Sequence, residues 1–152
     1  MLVNEIMKRP PATCTSNDTV TEAAKIMHEH SCGFVPVVDG SGSVIGVVTD
    51  RDVCLIVGDT NRAMTHVSVQ DAMSHPVFSC YENDNVKVTL GTMARRHVRR
   101  LPVLNRSGYL QGILSIDDVI QAPSKRGSPT AEEILTALKG ITAPRPIEVA
   151  TA

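Results

Sequence analysis

Apolar residues recur at two different periods through the first third of the chain. Val20, Ala23, Ala24 and Met27 stand at i, i+3, i+4 and i+7, the spacing of one helical face, with Asn17 or Asp18 placed to cap it. FVPVVDGSGSVIGVVT, residues 34–49, then holds two almost unbroken apolar runs around a DGSG turn, which predicts a strand hairpin. Runs as apolar as VIGVV call for burial on both faces. DRDVCLIV, residues 50–57, reads as a closing helix. Ahead of all this, residues 3–7 predict a short helical turn ended by Pro10, followed by an extended PATCT.

The same pattern returns 66 residues later. Pro10 meets Pro76, Cys14 meets Cys80, Met27 meets Met93, Pro36 meets Pro102, Gly46 meets Gly112 and Asp52 meets Asp118. No gap is needed between residues 3–55 and 69–121, and 15 of those 53 positions are identical. Chance alone would give roughly three. The chain is a tandem duplication: repeat one at 3–57, a linker at 58–68, repeat two at 69–121 and a tail at 122–152.

A unit of about 50 residues is marginal for a core of its own. The expected fold is therefore α/β (α+β), with two helix-strand-strand-helix repeats packed sheet to sheet about a pseudo-two-fold axis. In the tail, APSKRGS is a polar breaker and a helix is expected at about 130–139. Thr130 with Glu133 forms its capping box, and Gly140 is its expected stop. Ile134, Leu135 and Leu138 make a short apolar stripe that Ile141 extends. So short a helix is marginal alone, so it should dock on its own module or on a dimer partner. Residues 142–152 are expected to be extended or disordered.

Composition narrows the function. With 42% hydrophobic residues but only 3% aromatic and no Trp, the core must be aliphatic and Met-rich. A net charge of −1 speaks against a general nucleic-acid binder. MLVNEIMKRPPATC holds no long apolar run, and no stretch approaches the ~18 apolar residues of a membrane span. The expected location is cytoplasmic, with no membrane partner. None of the four cysteines forms a CxxC pair, so free buried thiols are expected.

The doublet VPVVD…GVVTDRD and LPVLN…GILSIDD, preceded by IM…P and AM…P, resembles a pair of cystathionine-β-synthase (CBS) domains, a Bateman module. The likeness covers roughly residues 3–121, and the whole resembles a free-standing bacterial-type CBS-pair protein. Similar modules occur in inosine-monophosphate dehydrogenases, chloride channels and the regulatory subunit of AMP-activated protein kinase. The resemblance implies two clefts between the repeats for adenosine ligands (AMP, ADP, ATP, S-adenosylmethionine or NAD), a sensing role and a homodimer. No catalytic role and no resident cofactor are expected.

By that resemblance the Thr/Ser-x-x-Asp motif is Thr49 to Asp52 in one repeat and Ser115 to Asp118 in the other. Each hydroxyl stands at a helix start, where it can cap the helix or donate to a phosphate. Each Asp, three residues on, offers two acceptor oxygens that match the vicinal hydroxyls of ribose. Adenine is expected against Ala12-Thr13 and Phe34-Val35, or against Phe78-Ser79 and Arg100-Leu101. Arg99 precedes Pro102 by three residues, where the family often places a phosphate-contacting Arg. Repeat one has Gly33 there, so its phosphate cation is Arg51, or Arg99 or Arg100 borrowed across the axis.

The same Thr/Ser-x-x-Asp pattern is also an ordinary capping box. Arg95 and Arg96 read as a solvated helix end favoured by the dipole. His28, His30 and Cys32 match no standard zinc spacing, and the histidines read as surface residues. Cys14 and Cys80 read as core. There is no G-x-S-x-G, no P-loop and no H-E-x-x-H. Alternatives to the ligand sensor are a scaffold with empty clefts, assembled through the tail helix or an unknown protein partner, and a metal-linked sensor.

Overall fold

The computed structural model describes residues 1–60 and 62–144. Residues 145–152 of the expected extended tail lie outside it. A 3-10 turn at Val3–Glu5 leads into α1 (Val20–Glu29), β1 (Phe34–Val38), β2 (Val44–Thr49) and α2 (Asp50–Thr60). A second 3-10 turn, Met64–His66, leads into α3 (Val69–Ala72), β3 (Cys80–Tyr81), α4 (Val86–Arg96), β4 (Arg100–Leu104), β5 (Leu110–Ser115) and α5 (Ile116–Gln121). The tail adds α6 (Ala131–Thr142). Two helix-strand-strand-helix repeats thus pack through their sheets, with a C-terminal helix outside them.

Each hairpin is antiparallel and bulged near its turn, and the registers correspond. Phe34 lies opposite Thr49, and Arg100 opposite Ser115. Cys14 and Cys80 begin the parallel approach to β1 and β4, as bridges to Val37 and Val103. Strand alternation sends Val35 and Val37, or Leu101 and Val103, into the helix-covered core. Phe34 and Arg100 occupy the opposite face. The α1 cap is Thr19, not Asn17 or Asp18. Thr19 Oγ1 accepts the Glu22 N–H, while Asp18 accepts the Thr15 N–H at 2.7 Å. The full capping box that Thr19 forms with Glu22 outcompetes the one-sided caps.

The sequence repeat and the packed unit are not the same set of residues. Val3 and Met7 are buried with Val86, Leu90, Met93 and Leu114 of repeat two. Val67 and Val69 are buried with Val20, Ala23 and Val48 of repeat one. Each leading turn has crossed to the other repeat. Backbone bonds fix the crossing: Val3 N–H to Asp84 O at 3.0 Å, Val69 N–H to Asp18 O at 2.7 Å and the Lys8–Ile113 and Ser74–Val47 pairs. This crossing explains Gly46 and Gly112, which both repeats keep. A Cβ on Gly112 would lie 2.6 Å from Lys8 O, and one on Gly46 would lie 2.5 Å from Met73 Sδ. At Gly112 the obstacle is backbone, and at Gly46 it is the Met73 side chain, which would have to move aside for a Cβ.

The tail helix docks in cis, against α4. Ala137 and Ile141 are buried, Ile134 and Leu138 are partly buried, and Leu135 points outward at 53% exposure. Thr130 and Glu133 form the expected box, and Lys87 Nζ meets Glu133 Oε1 at 2.9 Å. Gly140 does not stop the helix, which runs on to Thr142. Instead a Cβ there would sit 2.8 Å from Ala94 Cβ, so Gly140 is a contact point between helices. Tertiary packing, not the local cap preference, decides the helix end. Among the described residues no helix is long and apolar enough to cross a membrane.

Candidate functional site

The two strand-end, helix-start corners are built alike. Ser115 N–H and Oγ donate to Asp118 Oδ2 at 2.8 and 2.5 Å, and Asp118 N–H donates back to Ser115 Oγ at 3.1 Å. Thr49 and Asp52 repeat this at 2.9, 2.7 and 3.2 Å. The hydroxyl therefore caps its helix, and one carboxylate oxygen of each Asp is committed to that box. The other oxygen faces the leading segment that has crossed over. Lys8 Nζ lies 3.6 Å from Asp118 Oδ1, and Ser74 Oγ lies 3.4 Å from Asp52 Oδ1. Lys8 and Ser74 are themselves repeat counterparts.

The helix starts offer less to an anion than sequence reasoning assigns. Asp50 N–H donates to Gly33 O, Arg51 N–H to Asp50 Oδ1 at 2.8 Å, and Asp52 N–H to Thr49 Oγ1. The first three N–H groups of α2 are thus used. α5 spans 6 residues, too short for a developed dipole, and its Ile116 N–H is held by Arg99 O at 3.0 Å.

The remaining expected residues divide by burial. The side chains of Val35 and Leu101 are fully buried in the core, so only their backbones can meet a ligand. Phe34 is 7% exposed, Thr13 and Ser79 are half-buried, Arg100 is half-buried, and Arg51 and Arg99 are exposed. Arg96 lies 4.6 Å over the Phe78 ring, which holds that aromatic against α4. Burial pushes the Cys14 and Cys80 thiols up to about 12, with Asp18 and Asp84 adding a smaller like-signed push. Both are core, but Cys54 is exposed, unlike the expected buried thiol. Among the described residues no three of His, Cys, Asp and Glu gather as a metal site. Sequence reasoning missed Lys8 and Ser74, because the crossing that brings them to the Asp residues is not written in either repeat alone.

A CBS domain matches residues 3–59 and again 69–125. The chain belongs to the CBS-domain family. Its two repeats form a CBS pair. CBS domain-containing protein YhcV of Bacillus subtilis is 31% identical over 134 residues, 88% of this chain and 92% of that one. The solved CBS-domain-containing protein of Agrobacterium tumefaciens is 31% identical with a TM-score of 0.72, over 80% of this chain and 98% of that one. A CBS domain pair solved in complex with 5-methylthioadenosine and S-adenosyl-L-methionine is 26% identical with a TM-score of 0.72, over 80% of this chain and 94% of that one. Other relatives are longer. The match spans 61% of an uncharacterized Methanopyrus kandleri protein and 22% of a Methanocaldococcus jannaschii L-aspartate semialdehyde sulfurtransferase.

Proposed function

We propose that this CBS pair is a regulatory sensor that binds adenosine-containing ligands in the two clefts between its repeats. One observation carries the reading. In both corners a carboxylate is fixed by its capping box, with its second oxygen turned toward a backbone segment from the other repeat. A rigid acceptor beside a crossing chain suits a ribose, and the strand ends at Phe34 and Arg100 leave backbone groups for the adenine edge. The related pair with bound methylthioadenosine and S-adenosylmethionine supports the ligand class.

In this reading Asp52 and Asp118 take the ribose. Thr49 and Ser115 hold them in place. Thr13, Phe34, Val35, Ser79, Arg100 and Leu101 lie along the base, and Arg51, Arg99 and Arg100 are the available cations. A ligand touching both repeats would change how the crossed leading segments sit, and so alter the module's shape or its hold on a partner. The homodimer and the cytoplasmic location belong to the same proposal. A non-catalytic role belongs to the same proposal, and among the described residues no three of His, Cys, Asp and Glu gather where the metal-linked alternative would need them.

Titration calorimetry with AMP, ADP, ATP, NAD, S-adenosylmethionine and 5-methylthioadenosine tests the proposal. Saturable binding of at least one is expected. No binding of any at high protein concentration would leave the scaffold alternative standing.

A further inference from the structure

The two corners share a frame but not a charge. Lys8 Nζ approaches Asp118 Oδ1, and Arg99 and Arg100 stand at the strand end that pairs with Ser115 and the start of α5. The 66-residue counterparts of these cations around Asp52 are Ser74, Gly33 and Phe34, none of them charged. The difference also runs the other way. Ile116 comes directly after the motif's Ser115 in repeat two, and its counterpart in repeat one is Asp50. The Asp50 carboxylate lies directly on Gly33, where a Cβ would come within 2.5 Å of Oδ2. So an anion occupies the space from which Arg99 departs in the other repeat. It also accepts the Arg51 N–H, a donor that an incoming phosphate would otherwise use.

Arg51 is the one cation at these matched positions in repeat one, exposed between Asp50 and Asp52, and its counterpart in repeat two is Asp117, so each corner carries one carboxylate besides its motif Asp while only the Asp118 corner has three cations at matched positions. Asp59 and Asp71 line the open concavity that Asp52 borders, of about 360 Å³, with Asp71 paired to Arg62 at 3.8 Å and Asp59 adding a further carboxylate. In repeat two, Lys8 Nζ approaches Asp118 Oδ1, and the register places Arg100 opposite Ser115. Strand alternation puts Arg100 on the face away from the core, because Leu101 is fully buried in it. Arg9, next to Lys8, is turned away to the Asn4 carbonyl and adds nothing directly.

We infer that the two clefts take adenosine ligands of different charge: the Asp118 cleft a phosphorylated one, and the Asp52 cleft an uncharged or cationic one, a nucleoside, thioether or sulfonium. This rests on the proposed adenosine-binding role. Ribose and adenine recognition is common to both corners, since it uses the shared Asp and backbone. The substituent on the 5′-carbon is sorted by local potential, and phosphate gains charge-assisted contacts in one cleft and meets carboxylates in the other.

The test compares calorimetric titrations of AMP and 5-methylthioadenosine on the full chain. AMP is expected to bind tightly at one equivalent, and 5-methylthioadenosine is expected to bind in its presence. The double variant Lys8→Ser with Arg100→Phe should weaken AMP by about tenfold at low salt while changing 5-methylthioadenosine by less than twofold. The reverse pair, Asp50→Ile with Ser74→Lys, should raise AMP to two equivalents. Thermal melts of each variant without ligand confirm that it is folded.

Two equal AMP equivalents on the native chain, or mutual exclusion of the two ligands, would overturn the assignment while leaving adenosine binding intact. So would AMP affinity unmoved by the double variant. Silence with every ligand would overturn the underlying role as well.

Discussion

Lys8 and Ile113 exchange backbone hydrogen bonds at 2.9 and 3.0 Å, although they belong to different sequence repeats. The pairing lays the leading segment across β5 and forces Gly112 beneath it. Gly112→Ala should cost about 1–3 kcal/mol, because its Cβ would meet the Lys8 carbonyl, which is backbone and cannot swing away. Gly46→Ala should cost less, since the facing atoms are the side chain of Met73. Urea unfolding of the two variants checks the order, and equal losses would contradict the crossing as described.

Asp118 has two tasks, capping α5 and offering an oxygen to the cleft. Asp118→Ala should lower stability by about 1 kcal/mol and weaken nucleotide binding, whereas Asp117→Ala should do neither to the same degree. Melting curves and calorimetry on the same samples separate the two effects. Lys8→Ala should scarcely move the melt, because its side chain is 79% exposed and the ion pair is solvent-screened.

The tail helix should be separable from the fold of the repeats only at a cost. Gly140→Val places branched carbons where Ala94 already sits, so α6 should lift away and expose Ala137 and Ile141. The expected readout is faster proteolysis within residues 122–128 and a loss of about 2 kcal/mol in stability. Leu135→Ala, on the outward face, should do little to the isolated chain.

The thiols predict a pH effect with a definite sign. Cys14 and Cys80 stay protonated in the fold until about pH 12, while an unfolded cysteine ionises near 9.0. Above pH 9 the unfolded state loses protons that the folded state keeps, so stability should fall from pH 9 toward 12 and be flat below 9 from this source. Replacing both by Ala should flatten that limb in denaturant titrations. At pH 8 an aromatic disulfide reagent should modify Cys54 readily and leave Cys14 and Cys80 untouched until unfolding.

Much of this was legible in the residues. Val20 to Met27 gave the face of α1, the DGSG turn gave the hairpin, and Thr130 with Glu133 gave the start of α6. Thr49 with Asp52 and Ser115 with Asp118 were readable both as caps and as ligand contacts, and the capping geometry is now explicit. Gly140 misled, because a glycine that favours a helix end locally also lets two helices touch. Lys8 and Ser74 escaped notice, since nothing within one repeat ties them to Asp118 and Asp52.

The sequence by itself determined the duplication, the order of elements and the family, because periodicity, turns and caps are local and a repeat is read by alignment. Only the tertiary structure decided that each leading turn serves the other repeat. It alone set Lys8 beside one carboxylate and Ser74 beside the other, and folded α6 onto α4. A unit of about 50 residues is marginal for burying its own apolar surface. Each therefore borrows a turn from its twin, and that exchange is a matter of packing that no local pattern encodes.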